Sequence, residues 1–134
     1  MNAETQRKGR SLEIPGVTHG SAPIPMGARV GNVIYSSGIA GRDPATGALP
    51  EDVARQAALA FSNMKALLDA GDATLDAVVR MTVFITDDSA RGAVNEQWLK
   101  YFPDPHDRPA RHTVVHNLPG GMLVQLEIVA VLAS

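Results

Sequence analysis

The clearest pattern in the chain is a stripe of apolar residues with helical spacing. Its members are four, three, four, three and one residues apart: Val53, Ala57, Ala60, Met64, Leu67 and Leu68. This spacing places them on one face of an amphipathic helix. Pro50, Glu51 and Asp52 suit the first turn of such a helix, and Gly71 suits its C-cap. The pattern therefore predicts a helix that begins after Pro50 and ends at Gly71.

A second, shorter helix is predicted from Ser89 to Phe102. Three large apolar residues, Val94, Trp98 and Phe102, follow one another at intervals of four, so they stack along one helix face. Two aspartates and a serine precede this stripe as candidate N-caps. Pro103 ends the helix because proline cannot donate the next backbone hydrogen bond.

Five other segments are rich in β-branched residues or alternate between apolar and polar positions, as strands do. They are Ala28–Val30, Val33–Ser36, Val78–Thr86, Arg111–His116 and Met122–Leu132. The first two flank Gly31-Asn32, a pair that suits a tight hairpin turn. In the third segment, alternation predicts that one set of side chains faces the core: Val79, Met81, Val83 and Ile85.

The order of these elements indicates an α+β sandwich in which one sheet packs against two helices. A chain of 134 residues fits one domain, which typically has about 100–200 residues. Residues 12–134 are predicted to form that domain, beginning with a proline-rich extended segment that includes at most a short edge strand. Residues 1–11 are polar and without periodicity, so they are predicted to form a disordered arm.

Composition excludes several classes of protein. The chain has no cysteine, which excludes disulfide frameworks, thiolate metal clusters and cysteine nucleophiles. Its 12 basic and 14 acidic residues give a net charge of −2, which argues against nucleic acid as a partner. No stretch approaches about 18 consecutive apolar residues, so a cytoplasmic protein without a membrane partner is expected. Only 19% of the residues are charged, which indicates that further copies of the chain cover part of the surface.

Common motifs for metals, nucleotides and a nucleophilic serine are missing from the sequence. His112 and His116 are four residues apart in a predicted strand, which separates them by about 13 Å, too far to share one ion. No metal site is therefore expected. The glycines between residues 38 and 47 do not form a phosphate-binding loop. Ser37 does not lie in the strand–turn–helix motif of a hydrolase nucleophile.

Polar residues in the last two strands are candidate site residues. Arg111 opens one strand, and alternation puts it on the same side as Thr113 and Val115. In the last strand one face is wholly apolar, whereas Gln125 and Glu127 interrupt the other. Buried amides and carboxylates need hydrogen-bond partners. Gln125 and Glu127 are therefore expected to lie in a polar pocket, at a subunit interface or in contact with solvent. An exposed sheet face with a weak Arg111–Glu127 ion pair explains the same pattern equally well.

A set of short motifs runs from about Val30 to Leu132. They are Val33–Gly38 (VIYSSG), Asp43-Pro44 with Thr46-Gly47, Gln56 and Asn63, Thr82–Phe84, Val94-Asn95, Arg108–Arg111 and the closing β-run. The most specific of them is Pro109-Ala110-Arg111, at its distance before the last strand. Together they resemble the reactive intermediate deaminase family, also called the YjgF-like or RidA family.

The resemblance implies a chorismate-mutase-like α+β fold, with one mainly antiparallel sheet packed on two helices. It also implies a homotrimer with ligand clefts at the subunit interfaces. The activity it implies is the hydrolysis of reactive enamines or imines, such as 2-imino acids and related carboxylates. The products are keto acids and ammonia, and no cofactor takes part.

The resemblance also assigns roles to individual residues. Arg111 aligns with the arginine that binds the substrate carboxylate, and a guanidinium suits this role because it forms two parallel hydrogen bonds with a carboxylate. Ser37 and Asn95 align with positions at the substrate-binding cleft. The roles of the three residues follow from the resemblance and not from their spacing.

Several residues depart from the family pattern. Ile24 or a neighbour stands at the position of a cleft tyrosine, Thr113 at that of a cleft cysteine, and Gln125 at that of the glutamate beside the water. His112 replaces a small residue. Glutamine can hold a water but cannot accept its proton. Glu127, two residues later on the same face, is the candidate replacement for the missing carboxylate.

Two functions from different classes remain. The first is a deaminase in which Arg111 binds the carboxylate and a water lies near Gln125 and Glu127. The second is a non-catalytic trimer that binds small carboxylates in the same cleft, which the missing tyrosine, cysteine and glutamate favour. A third, ribonuclease or translation inhibitor, is disfavoured by the net charge of −2 and by the lack of a basic stripe rich in aromatic residues.

Overall fold

The computed structural model describes residues 9–133, which form one seven-stranded sheet and two α-helices. The strands are β1 Ser11–Leu12, β2 Gly27–Val30, β3 Val33–Ser36, β4 Ile39–Ala40, β5 Val78–Ile85, β6 Ala110–Val115 and β7 Val124–Val131. The helices are α1 Val53–Ala70 and α2 Arg91–Tyr101, and 3₁₀ turns at Leu75–Ala77 and Asp88–Ala90 precede β5 and α2.

The last strand, β7, lies inside the sheet rather than at its edge. The strand order is β1-β2-β3-β7-β5-β6, and the short β4 also pairs with β7. Neighbouring strands are antiparallel except β5 and β6, which are parallel because α2 returns the chain to the same end of the sheet. The predicted α+β fold with one mainly antiparallel sheet and two helices is confirmed.

The predicted apolar stripe of α1 packs against the sheet. Five of its six members are buried, and the sixth, Val53, is half-buried. The carboxylate of the N-cap Asp52 accepts a hydrogen bond from the backbone N–H of Arg55 at 3.2 Å, and Gly71 is the C-cap. The hairpin around Gly31 is confirmed as well, with Val30 paired to Val33 and a φ of 59° at Gly31.

Alternation along β7 divides the sheet into a covered face and an open face. The covered face contributes four residues that are at most 2% exposed: Val124, Leu126, Ile128 and Ala130. They join α1 and α2 in the core. Gln125, Glu127, Val129 and Val131 point the other way. Tyr35, opposite Val129 on β3, belongs to this open face, and the two-sided pattern predicted for β7 is confirmed.

The prediction that Val79 faces the core is wrong. The pairing of β5 with β7 shifts register between Val78 and Arg80, so Val79 is the extra residue of a β-bulge. Val78 is 5% exposed whereas Val79 is 48% exposed. One inserted residue reverses the alternation on its N-terminal side, and the predicted pattern holds only from Met81 onwards.

Residues 10–12, which include the end of the predicted arm 1–11, are bonded to β2. Residues 1–8 lie outside the described residues. Ser11 and Leu12 pair with β2 as a short edge strand, and the carbonyl of Arg10 accepts a hydrogen bond from the N–H of Arg29 at 2.8 Å. Main-chain bonds therefore hold Arg10 and Ser11 in place next to the buried Leu12.

Two buried amides tie α1 to the segments around β4 and before β7. The Oε1 of Gln56 accepts a hydrogen bond from the backbone N–H of Leu123 at 2.8 Å, one residue before β7. Asn63 donates through Nδ2 to the carbonyl oxygens of Ala40 and Arg42 at 3.0 and 2.9 Å. These bonds hold the chain on both sides of the point where β4 meets β7.

Gly71 is required by packing rather than by its backbone angle. Its φ is −93°, and the residue in the left-handed region is Asp72 with a φ of 60°. A Cβ at Gly71 would lie 2.7 Å from Cδ1 of Ile34 and 3.1 Å from Cδ1 of Leu12, both buried. We expect Gly71→Ala to lower the free energy of unfolding by about 1–2 kcal/mol through overpacking, as measured by urea denaturation.

Gly92→Ala is the matched control. Gly92 lies within α2, and a Cβ there would meet nothing within 4 Å. The same substitution should raise the free energy of unfolding by about 0.5–1 kcal/mol, since alanine has the higher helix propensity. A Gly71→Ala protein as stable as the wild type would contradict the packing argument.

Candidate functional site

Arg111 lies in the edge strand β6 on the side of the sheet covered by α2. Its Cζ is 5.2 Å from the centroid of the Trp98 ring, a distance at which a guanidinium is attracted to the ring face. Its Nε donates to Oγ1 of Thr113 at 3.0 Å. The predicted placement of Arg111 and Thr113 on one side of the strand is therefore correct, and these two contacts fix the orientation of the guanidinium.

The charge of Arg111 has no carboxylate partner among residues 9–133 within ion-pair distance. Burial lowers the pKa of Arg111 below the high value that is ordinary for arginine, and the nearby positive charge of Arg91 lowers it further. A guanidinium that starts from so high a pKa keeps its charge at neutral pH. A half-buried, oriented and uncompensated guanidinium has the chemistry to hold an anion, and its fork geometry suits a carboxylate.

Asn95 lies on α2, the helix that carries Trp98. It is exposed and precedes Trp98 by three residues, a spacing that puts the two side chains on one helix face. We call Arg111, Thr113, Trp98 and Asn95 the arginine cluster. Three of these residues are site residues predicted from the sequence, whereas Trp98 was predicted only as part of the apolar stripe of the second helix.

Gln125 lines a different space, a cavity of about 330 Å³ beside β7. The segment that precedes β2 covers this cavity with His19 and Ile24, and Gly38 and Arg42 complete its wall near β4. We call this space the glutamine cavity. Ile24, which stands at the position of the family's tyrosine, therefore lies in the same cavity as Gln125.

Gly38 lets the backbone approach the Gln125 amide closely. A Cβ at Gly38 would lie 2.7 Å from both Cδ and Nε2 of Gln125. The neighbouring Ser37 donates its hydroxyl to the carbonyl of Pro25 at 2.7 Å, and its N–H donates to Met26 at 2.9 Å. Ser37 thus fixes the loop between β3 and β4, and Gly38 rather than Ser37 lines the cavity.

His19 is a member of the cavity that sequence reasoning missed. Its Nε2 lies 2.9 Å from the carbonyl oxygen of Gly38, so this nitrogen carries the proton when the ring is neutral. Within residues 9–133 its buried Nδ1 has no hydrogen-bond partner. The sequence contained no periodic signal for this residue, since it lies in an irregular segment outside any helix or strand.

One chain does not bring Arg111 together with Gln125 or Glu127. Arg111 contacts α2 on the covered side, whereas Gln125 and Glu127 point to the open side, and β5 runs between β6 and β7. Strands two apart are separated by about 10 Å. Glu127 is exposed and lies opposite Thr82. The Arg111–Glu127 ion pair considered from the sequence is not formed, and the candidate residues divide into two separate halves, the arginine cluster and the glutamine cavity.

Across residues 9–133 no group of three or more histidine, cysteine, aspartate or glutamate residues is arranged to hold a metal ion. His112 is exposed, and the His116 ring meets the Phe84 ring edge-on at 6.3 Å. In the same range no helix has the length and apolarity needed to span a bilayer.

Comparison with known proteins identifies relatives with deaminase names. The family described as Endoribonuclease L-PSP matches residues 22–132. A RutC family protein of Aquifex aeolicus is 36% identical, over 82% of this chain and 93% of the relative. The 2-iminobutanoate/2-iminopropanoate deaminase of Escherichia coli is 34% identical, over 81% of this chain and 87% of that enzyme. The crystal structure of E. coli TdcF with bound serine superposes with a TM-score of 0.84 at 29% identity, covering 92% and 99% of the two chains.

Proposed function

The chain belongs to the reactive intermediate deaminase family, also described as Endoribonuclease L-PSP, and we propose that it hydrolyses imines of 2-keto acids. The observation that carries the proposal is the oriented, uncompensated guanidinium of Arg111. In the proposed complex Arg111 holds the carboxylate of a 2-imino acid by two parallel hydrogen bonds. This contact fixes the position of the imine carbon, which is bonded to the carboxylate carbon.

The reaction proposed is a hydrolysis without any change of oxidation state. The oxygen of a water bonds to the imine carbon, the C–N bond of the resulting carbinolamine breaks, and ammonia leaves while a keto acid forms. Gln125 holds the attacking water by hydrogen bonding. Because an amide cannot accept a proton at neutral pH, the substrate nitrogen takes up both protons of the water. The first arrives as the carbinolamine forms, and the second comes from its hydroxyl as the C–N bond breaks. Most of the rate gain then comes from positioning, and no cofactor is needed.

A second copy of the chain completes the site in this proposal. The arginine cluster and the glutamine cavity lie on opposite sides of one sheet, so one substrate reaches both only if they come from different copies. The open face offers an apolar surface for such a contact: Val30, Tyr35 and Val131 are 66%, 62% and 40% exposed. We propose a homotrimer in which the arginine cluster of one subunit faces the glutamine cavity of the next, with Glu127 on the surface between them.

Mixing two defective variants tests this arrangement. Arg111→Ala inactivates one half of each site and Gln125→Ala impairs the other. In trimers assembled at random from both variants, about one quarter of the interfaces regain two native halves. The mixed protein should therefore release keto acid and ammonia from 2-iminobutanoate faster than the average of the two pure variants.

The control is a sample in which the two variants are combined just before the assay, without subunit exchange. Its activity should equal the average of the pure proteins. An exchanged sample that does no better than this control would show that both halves act within one chain. If wild-type protein does not accelerate the hydrolysis above buffer, the deaminase proposal fails altogether.

The second candidate function is binding of small carboxylates without catalysis. Gln125 favours it, because the residue beside the proposed water position cannot act as a base. A carboxylate such as butyrate would then raise the melting temperature through Arg111. Measuring both properties on the same sample distinguishes the two functions. A rise in melting temperature with butyrate, together with no acceleration of imine hydrolysis, supports binding without catalysis.

A further inference from the structure

A second arginine lies on the helix face that leads to the arginine cluster. Arg91, Asn95 and Trp98 are spaced four and three residues apart on α2, which aligns them along one side of the helix. Arg111 lies over the last of them. Arg91 begins the helix two turns away from Trp98, or about 10.5 Å along the axis.

The guanidinium of Arg91 is held in a defined orientation. Its Nε and Nη2 donate to the same carboxylate oxygen of Asp88, at 3.0 and 2.8 Å. The arginine side chain is nevertheless 44% exposed, and no further partner is recorded for Nη1 among the described residues. The bond to Asp88 therefore fixes the guanidinium while part of its donor set stays open to a ligand.

Apart from its pairing with Asp88, an arginine at this position is not favoured by the helix. The first turn of a helix favours negative side chains because the N-terminal end of the helix dipole is positive. Arg91 also lies close enough to Arg111 for its charge to lower the pKa of that residue. Asp88 pairs with Arg91, whereas Arg111 has no carboxylate within ion-pair distance in residues 9–133. An anion bound between the two arginines would relieve their remaining repulsion.

We propose that Arg91 binds a second carboxylate and that the preferred substrates are imines of short dicarboxylic keto acids. This inference rests on the proposed function, in which Arg111 binds the carboxylate next to the imine carbon. The second carboxylate, at the other end of the substrate, pairs with the exposed donors of Arg91. Asn95, between the two arginines, donates to the substrate from the same side. The reaction itself is unchanged from the hydrolysis proposed above: water adds to the imine carbon, and the C–N bond breaks.

The test compares two four-carbon imines that differ at one end. 2-Iminosuccinate and 2-iminobutanoate are generated in situ by oxidation of aspartate and of 2-aminobutyrate, and the release of keto acid is followed. Wild-type protein should favour 2-iminosuccinate in kcat/KM by about tenfold or more, as expected for one additional charge-assisted contact. Arg91→Gln should reduce this preference at least about tenfold.

Arg55→Gln is the matched control. Arg55 is an exposed arginine on α1 with an acidic partner, Asp43, at 3.6 Å, and its loss should leave the preference unchanged. Arg91→Gln should fold normally because the side chain is largely exposed, which a thermal melt verifies. A wild-type protein without preference, or an Arg91→Gln protein that keeps it, overturns the inference while the deaminase proposal stands.

A binding measurement decides the case in which neither imine is hydrolysed. That result refutes the proposed function, and calorimetric titration with succinate and with butyrate then tests the inference by itself. Tighter binding of succinate in the wild type, lost in Arg91→Gln and kept in Arg55→Gln, supports a dicarboxylate site. Equal affinity for both ligands in the wild type overturns it.

Discussion

Replacing Arg111 with alanine is expected to lower kcat/KM for 2-iminobutanoate by about 10²–10³-fold. Two hydrogen bonds to a charged carboxylate are lost, each of which contributes about 1.5–3 kcal/mol. A loss of about 3–4 kcal/mol in the transition state corresponds to this change in rate. The measurement is the release of keto acid and ammonia from 2-iminobutanoate generated in situ.

Two further arginine variants separate charge from geometry. Arg111→Lys keeps the charge but not the planar fork, so its activity should fall between those of the wild type and Arg111→Ala. Arg55→Gln removes an exposed arginine on α1 and should leave the activity unchanged. Arg111→Ala should also fold, because Arg111 lies at the sheet edge and is only half-buried. Equal rates for wild type and Arg111→Ala would refute the role of this residue.

Replacing Gln56 with leucine is expected to cause the largest loss of stability, about 3 kcal/mol, because three hydrogen bonds of about 1 kcal/mol each disappear. Gln56 is 1% exposed. Its Nε2 donates to the carbonyls of Pro50 and Gly121 at 2.7 and 3.0 Å, and its Oε1 accepts from Leu123 at 2.8 Å. Leucine leaves these backbone groups buried without partners. Urea denaturation followed by circular dichroism measures the change.

Gln97→Leu is the matched control for this prediction. Gln97 is also buried, at 9% exposure, but no hydrogen bond of its side chain is recorded within residues 9–133. The same substitution there should change the free energy of unfolding by less than about 1 kcal/mol. If both leucine variants are equally stable, the hydrogen bonds of Gln56 do not stabilise the fold as argued.

Gln56→Leu should also lower the activity of the molecules that remain folded. Leu123 is two residues before Gln125, so the loss of its bond to Gln56 frees the start of β7. The amide that holds the proposed water then loses its fixed position, and misplacement by about 1 Å is enough to reduce a rate strongly. Activity per folded molecule, with the folded fraction taken from the denaturation curve, separates this effect from simple unfolding.

Thr113 makes a contact that the sequence did not predict. The resemblance put this residue at a substrate-binding position where relatives have cysteine, and that role stays a prediction. In the structure its hydroxyl accepts a hydrogen bond from Nε of Arg111. Thr113 therefore helps to orient the guanidinium, which requires an oxygen acceptor at this point of β6.

Patterns of local burial allowed much of the fold to be predicted. The stripe on α1, the hairpin at Gly31 and the two faces of β7 each depend on residues a few positions apart. Side-chain direction repeats every 3.6 residues in a helix and every two in a strand, so spacing alone reveals these elements. Val79 was misplaced because a bulge depends on how a strand pairs with its neighbour, which spacing within one strand does not contain.

The sequence by itself determined the family, the α+β class and the face of the strand on which Arg111 lies. Tertiary structure alone decided that Arg111 rests on Trp98, that Gln125 shares a cavity with His19, and that the two halves lie on opposite sides of the sheet. The reason is that β7 inserts between β3 and β5, a pairing between distant segments. Strand order and register decide which polar groups meet, and neither is encoded in the local alternation of apolar and polar residues.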